Sequence, residues 1–328
     1  MERTPTPPGP IGLILPTFVQ NTVPAWASAT GEAADDPIAH LAGICSEAEQ
    51  LGADALWACD HLFWHGPSLE PLLALTVAAT STQTSALGTC VVQLPLRRAA
   101  AVAKQSATLQ VLSQGRFILG VGVGSHQGEY EQVGIDYHTR GRQLDTGIGE
   151  LRRSWRSGDG VTAGDTSAKG PDRYLQLPGP SPVPVWVGGS SESALRRAAA
   201  LADGWMPLFL TAGQYADALD RLTKELDRAD RPVDAVTRSM VLFVSIDDDA
   251  DKARRRGTEW MGSLYGLPAH AFERHLVGGT VEEVADTVDS FRSAGAEHVA
   301  VYVTADEPLE QFGQLTAALA TPDVRARG

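Results

Sequence analysis

Strand-like apolar runs alternate with amphipathic helical stretches eight times along the 328 residues, and few architectures accept that order. The strands fall at Ile11–Pro16, Asp54–Cys59, Ala86–Val92, Arg116–Val121, Val183–Val187, Trp205–Leu208, Ser239–Ile246 and His298–Val303. Their near-continuous Val, Ile and Leu content fits strands covered on both faces, as in parallel sheets. The intervening helices carry their own start and stop signals. Asp36–Pro37 supplies an N-cap and a proline at the first helical position; Ile38, Leu41, Ile44, Ala48 and Leu51 form the buried stripe, and Gly52 closes the helix. Further helices are predicted over Ser68–Thr80, Ala99–Leu112, Arg140–Trp155, Glu192–Leu201, Ala212–Arg228 and Leu309–Ala318. Thr280 and Glu283 make a capping box for a helix that runs to Ala294 and stops at Gly295. Eight such units predict an α/β fold, a closed (β/α)8 TIM barrel, with an open doubly wound sheet as the alternative. A Gly/Asp/Ser/Pro-rich loop insertion follows the fourth helix at 157–182, with room for a hairpin around Tyr174–Leu177, and extra helical segments follow the seventh strand at 249–275.

Residues 1–10, MERTPTPPGP, read as a disordered lead-in without the apolar centre of a signal peptide, and 11–328 as one barrel domain. The longest apolar run, Leu72–Ala79, is far too short to cross a membrane. A net charge of −13, with no dense Lys/Arg run, excludes nucleic acid and anionic lipid surfaces as partners. Cys45, Cys59 and Cys90 are odd in number and outside C-x-x-C spacing, so neither a disulfide framework nor a thiolate metal site is expected, and the expected location is cytoplasmic.

In a barrel of this kind the C-terminal ends of the strands carry the active site. Three of them hold unusual residues: DALWACDH (54–61), GRFILGVGVG (115–124) and PVWVGGSS (184–191). Asp60–His61 places an acid and an imidazole together, either for proton transfer or as a turn cap beside a surface histidine. His65 follows at four residues, but no HExxH or carboxylate spacing accompanies it, so no metal is expected. Gly120, Gly122 and Gly124 do not make G-x-G-x-x-G, because Ser125 and Gln127 stand where the third glycine belongs. They suit either close strand packing or a backbone wall against a flat ligand. Gly188–Gly189–Ser190–Ser191 opens a helix whose N–H groups and dipole fit a phosphate, the alternative being a plain serine N-cap.

Five segments together resemble the luciferase-like monooxygenase superfamily: DALWACDH, the block from Leu87 to Gly124, YHTRGRQLD, PVWVGGSSESALRRAAALADGW and VGGTVEEVADTVDSFRSAGAEHV. The resemblance runs over almost the whole chain in the same order. It implies a (β/α)8 barrel that works with FMN or with the deazaflavin coenzyme F420. It implies further that Cys90–Val91 forms a bulge in the third strand, with a non-proline cis peptide behind the cofactor ring. Gly122, Val123, Gly124 and Ser125 would follow the ribityl chain, and Gly188, Gly189, Ser190 and Ser191 the phosphate. His61, with Asp60 beside it, would stand on the substrate side, and Trp64 would add an aromatic wall.

There are departures. F420-dependent sugar-phosphate dehydrogenases carry a glutamate where this chain has Ser125, and the pair Asp145–Thr146 stands where the family often has Asp-Glu. Arg140 and Arg142 fit the family's arginine positions, although salt bridges holding the fourth helix to the barrel explain them equally well. Arg97, Arg98 and Lys104 face either the anionic tail of F420 or solvent.

The expected activity is therefore an oxidoreductase moving a hydride between F420 and a small organic substrate. Alternatives are an FMN-dependent monooxygenase, in which the reduced ring traps O2 as a hydroperoxide, and a non-catalytic cofactor-binding barrel. A Schiff-base lyase is disfavoured, since Lys104, Lys169, Lys224 and Lys252 lie away from the ends of core strands. Expected partners are a second copy of the chain and a flavin or F420 reductase.

Overall fold

Short strands buried on both faces need helices over the outer face and side chains filling the inner one, and both are present. The computed structural model describes residues 9–18, 36–157, 183–305 and 308–320. In chain order the strands are β1 (Ile11–Ile14), β2 (Ala55–Ala58), β3 (Ala86–Thr89), β4 (Val92–Gln93), β5 (Phe117–Gly122), β6 (Val185–Gly188), β7 (Gly204–Met206), β8 (Thr237–Ile246), β9 (Leu276–Gly279) and β10 (His298–Val303). The helices are α1 (Pro37–Gln50), α2 (Pro71–Ser81), α3 (Ala99–Leu112), α4 (Gln127–Gln132), α5 (Arg140–Ser157), α6 (Glu192–Leu201), α7 (Ala212–Arg228), α8 (Ala250–Tyr265), α9 (Val281–Ser293) and α10 (Pro308–Ala320). The strands pair in parallel in the order β10-β1-β2-β3-β5-β6-β7-β8, and β10 pairs again with β8, which closes the barrel. The TIM barrel expected from the alternation is the fold observed.

Alternation along each strand sorts side chains between two cores. On β2, Leu56 and Ala58 face the helices, while Ala55 and Trp57 face the barrel interior. Trp57 and Trp186 fill the N-terminal half of that interior, ring centroids 5.2 Å apart. They fit because neighbouring strands carry glycine opposite them. A Cβ at Gly88 would lie 2.2 Å from the Trp57 ring, and one at Gly204 2.4 Å from the Trp186 ring. The Trp57 indole N–H donates to His298 Nε2 at 2.9 Å, and His298 Nδ1 lies 2.6 Å from the Gly9 carbonyl, which only a protonated Nδ1 can satisfy. The imidazole is thus neutral and uses both nitrogens. Burial pushes its pKa down from 6.5 to about 4.

Several elements depart from expectation. The second helix starts at Pro71 rather than Ser68, because Pro71 suits the first turn and the Glu70 carboxylate accepts the Leu73 N–H at 2.9 Å. The third strand breaks in two at Cys90–Val91, whose peptide bond is cis, as the resemblance implied. Strand β9 was not anticipated. It pairs with Phe243–Ile246 of the ten-residue β8, beyond the stretch that β7 covers, so the length of β8 creates its place. Helix α4 is also new, a six-residue polar segment too short to show a period. The 249–275 region resolves into α8 and a 3-10 turn at Ala269–Phe272. Residues 1–8 of the expected lead-in, and residues 158–182 of the insertion with its Tyr174–Leu177 hairpin, lie outside the described residues. Among the described residues no helix is long and apolar enough to cross a membrane.

The state of His298 has a pH consequence. Its folded pKa lies below the ordinary value, so the unfolded chain takes up the proton first as pH falls. The stability it contributes is complete above pH 6.5 and lost as pH drops through about 4. The loss amounts to about 3 kcal/mol, by the conversion of roughly 1.4 kcal/mol per pKa unit. Denaturant midpoints followed across that window should fall steeply for the native chain and less steeply for His298→Gln. Equal slopes would refute the assignment.

Candidate active site

A cavity of about 440 Å³ opens at the C-terminal mouth of the barrel, in the size range of small-molecule sites. The mouth gathers what the sequence scattered. Asp60, His61, Trp64, Cys90, Val91, Gly122, Val123, Gly124, Ser125, Gly188, Gly189 and Ser190 all line it. Ser191 does not: its hydroxyl caps α6, accepting the Ala194 N–H at 3.2 Å and pairing with the Ser193 hydroxyl at 3.0 Å. For that residue the N-cap alternative is the one realised.

The polar centre is His61, and its partner is not Asp60. His61 Nδ1 lies 2.8 Å from Glu129 Oε2, and the Glu129 side chain is fully buried. The other oxygen, Oε1, accepts the backbone N–H groups of Leu62 at 2.8 Å and Phe63 at 3.0 Å. Gln93 Nε2 adds a donor to Oε2 at 3.0 Å and reaches the Asp60 carbonyl at 3.2 Å. Burial works to raise the pKa of Glu129, but the hydrogen bond with His61, together with the Phe63 N–H and Gln93, outweighs it and holds the carboxyl below its ordinary range. A carboxylate at Nδ1 fixes the proton there and leaves Nε2 as the ring nitrogen open to a ligand. Trp64 packs over the imidazole, centroids 3.9 Å apart and 33° between planes, and Phe18 meets it edge-on at 5.7 Å. Trp64 is itself held by a hydrogen bond from its indole to the Leu264 carbonyl at 3.0 Å.

Asp60 serves a different network. Its carboxylate accepts Arg97 Nη2 at 2.6 Å and Nε at 3.2 Å, a two-point pairing, and also the Gln93 N–H at 3.0 Å. Arg97 Nη1 reaches Glu70 at 3.0 Å. Of the two places considered for Arg97, a cofactor tail or solvent, the structure gives neither. The guanidinium is mostly buried between two carboxylates, which together raise its pKa against the opposing effect of burial.

The glycines divide the cavity wall between packing and access. A Cβ at Gly120 would lie 1.9 Å from the Thr89 carbonyl, so that glycine is set by close packing of β5 on β3. Val91 lies against Gly122 and Gly188, where added Cβ atoms would come within 2.5 Å and 3.2 Å of its methyls. Gly124 has φ +67° and sits against the Gln93 amide oxygen. The Gly189 carbonyl accepts the Trp205 indole N–H at 2.8 Å. Tyr137, with Arg140 stacked 3.7 Å over its ring, donates to the Ser125 carbonyl at 3.2 Å, which ties the arginine segment to the loop after β5. Asp145 pairs with Arg197, joining α5 to α6, whereas the salt bridges weighed for Arg140 and Arg142 are not among those of the described residues, and Arg140 donates to the Tyr137 carbonyl at 2.9 Å.

Across from the glycines the wall is aromatic. Phe209 stacks on Phe243 at 5.7 Å and Phe243 on Tyr302 at 5.2 Å, and Tyr265 lies edge-on to Phe243. Burial pushes the phenols of Tyr265 and Tyr302 up, so both stay neutral. Among the described residues that line the cavity there is no lysine or arginine. Glu129, Gln93 and these aromatics escaped sequence reasoning. HQGEYEQ reads as a solvated acidic turn, and no periodicity marks Glu129 as the inward residue.

The sequence profile of the luciferase-like monooxygenase family matches residues 15–274. An uncharacterized protein of Mycobacterium tuberculosis is 32% identical over 187 residues, 55% of this chain and 61% of that protein, so the match spans under two thirds of the relative's length. An F420-dependent glucose-6-phosphate dehydrogenase of Amycolatopsis mediterranei is 28% identical over 287 residues, 82% of this chain and 81% of that one. An F420-dependent secondary alcohol dehydrogenase, solved with an F420-acetone adduct, superposes with TM-score 0.77 at 18% identity, covering 96% of this chain and 100% of that one. The monooxygenase RslO1 from Streptomyces bottropensis superposes with TM-score 0.74 at 21% identity, covering 94% and 97%. The two superpositions establish a shared fold.

The Asp60–Arg97 pair can be tested on stability. Removing one partner of a buried ion pair costs about 3–5 kcal/mol when the other charge is left unpaired. Asp60→Ala leaves Arg97 its contact with Glu70 but unpairs the buried Gln93 N–H, so it should lower unfolding stability by about 1–3 kcal/mol in denaturant titrations. A loss under about 1 kcal/mol, the range of exposed pairs, would show that Arg97 re-solvates freely.

Proposed function

This chain belongs to the luciferase-like monooxygenase family, and from that premise we propose that it is an F420-dependent oxidoreductase acting on a small, uncharged, largely apolar organic substrate. The observation that carries the reading is His61 held by a buried carboxylate in a cavity with a glycine-and-bulge wall on one side and aromatics on the other. The relatives favour the deazaflavin, since the Amycolatopsis dehydrogenase matched over most of both chains is named for it. Its sugar-phosphate substrate does not carry over. Ser125 stands where such enzymes have glutamate, and no described cation lines the cavity to meet a phosphate on the substrate.

The residues present suit the cofactor. Val91, Gly122 and Gly188 make a low wall where larger side chains would collide, Gly124 and Ser125 continue it, and Gly189 and Ser190 stand just before α6. When bound, reduced F420 supplies a hydride. The protein's part is to fix the substrate and handle the proton. His61 Nε2 gives or takes the proton that accompanies the hydride, while Glu129, held ionised by its donors, stabilises the imidazolium and fixes the ring. Trp64 and Phe18 restrict that ring to one orientation and exclude water from it. Asp60 acts as a positioning residue, tying the end of β2 to β4 through the Gln93 N–H and to Arg97.

The test begins with separate titrations of F420 and FMN, each followed by quenching of its fluorescence. Tight binding of F420 is expected; binding of FMN alone would move the protein to O2 chemistry, and binding of neither would overturn the reading. His61→Ala should lower kcat by about 10²–10⁴-fold, the usual range for a lost general acid–base, and leave cofactor affinity unchanged. Glu129→Gln should lower kcat in the same direction by a smaller factor. An unchanged rate in His61→Ala with a turned-over substrate would refute the assigned role.

A further inference from the structure

Two thiols in the cavity wall take no part in the proposed chemistry. Register pairs Ala58 of β2 with Thr89 of β3, and the Cys90 N–H donates to the Ala58 carbonyl at 2.8 Å, so Cys59 and Cys90 follow side by side at the two strand ends. Neighbouring strands run about 4.8 Å apart, inside the Cα separation of about 4.4–6.8 Å that a disulfide accepts. Both thiols are half-buried, both pack against the same inner cluster, and both line the cavity. The third cysteine, Cys45, is buried in the outer core, where desolvation pushes its thiol up to about 12.

We propose that Cys59 and Cys90 form a redox-modification site, a thiol pair that peroxide closes into a disulfide within the cofactor-facing wall. The neighbouring Cys90 side chain, then burial, pushes the Cys59 thiol well up, which suits Cys59 to the resolving role. The Cys90 sulfur bonds to one oxygen of hydrogen peroxide and the O–O bond breaks, giving a sulfenic acid and hydroxide, which takes up the thiol proton as water. The Cys59 sulfur then attacks the sulfenic sulfur; the S–S bond forms, the S–O bond breaks, and the departing hydroxyl leaves as a second water with the Cys59 proton. Two electrons pass from the sulfurs to the peroxide. Closure ties the end of β2, two residues before His61, to the residue before Val91, and so cross-links two parts of the cavity wall.

The site is tested on the full-length native chain. Reduced protein is treated with stoichiometric hydrogen peroxide, unfolded in an alkylating agent, digested and mapped by mass. The expected product is a Cys59–Cys90 linked peptide lacking two hydrogens, with Cys45 alkylated. Alkylation of all three cysteines, or sulfinic acid at Cys90 without a cross-link, overturns the proposal. This readout is independent of which cofactor binds, so it stands or falls apart from the functional reading. Whichever of F420 or FMN quenches on the reduced protein should then bind roughly tenfold more weakly to the oxidised form, and recover with dithiothreitol. Cys45→Ser should show the same loss, and Cys59→Ser none. Unchanged affinity in a sample shown by mass to be cross-linked refutes the effect on the wall.

Discussion

Trp57 and Trp186 plug the lower barrel, and this plug decides where anything else can bind. Each indole occupies space that a neighbouring strand leaves by carrying glycine, Gly88 for one and Gly204 for the other. Interiors packed to crystal-like density leave no room for a ligand in that half of the barrel. The cavity therefore begins only where the indoles end, at Ile14, Cys59, Met206 and Val241. The plug also contains a polar demand, the Trp57 N–H, which a neutral His298 meets while its second nitrogen bonds the Gly9 carbonyl. A buried donor without a partner would cost about 1–3 kcal/mol, so the packing solution and the hydrogen-bond solution are chosen together.

Above the plug, two buried carboxylates near the end of β2 are matched by different partners. Asp60 is matched by a guanidinium in two-point contact, which leaves a fixed pair with little reason to move. Glu129 is matched by two backbone N–H groups, the Gln93 amide and one imidazole. Only the last of these is titratable. The consequence is a division of labour between acids of the same chemistry, one holding the loop and the other able to respond to a proton on His61. It follows from the partners, and the intrinsic carboxyl chemistry has no part in it.

The barrel was legible because its signals are local. Apolar runs of strand length, an Asp-Pro start at Asp36–Pro37 and the Thr280–Glu283 capping box each report the state of their own segment. The strand-end residues were legible for a related reason, since a barrel's topology brings C-terminal ends together whatever their sequence separation. What could not be read depends on non-local geometry. Glu129 belongs to a six-residue helix that looks solvated, and only the fold turns that residue inward to His61. Asp60 and His61 adjoin in sequence, yet their side chains serve separate networks, and the carboxylate that bonds the imidazole is that of Glu129. Strand β9 exists because β8 outlasts its neighbour β7, a property of two strands together. Ser191 shows the converse: its local signal, an N-cap, was the correct one, and the ligand role read into it was not needed to explain it.

The character of the cavity bears on what it can admit. Tyr265, Tyr302, Phe209, Phe243 and Trp64 surround it with aromatic faces, and the two phenols are held neutral by burial. In such surroundings a charged substrate loses its hydration and meets no described cation in return, which costs several kcal/mol per ion. An uncharged carbonyl or hydroxyl compound loses far less and gains apolar contact at about 25 cal/mol per Å² buried. The described wall thus suits the uncharged substrate proposed above, and a cation placed on it, rather than a change at His61, is what a phosphorylated one would need.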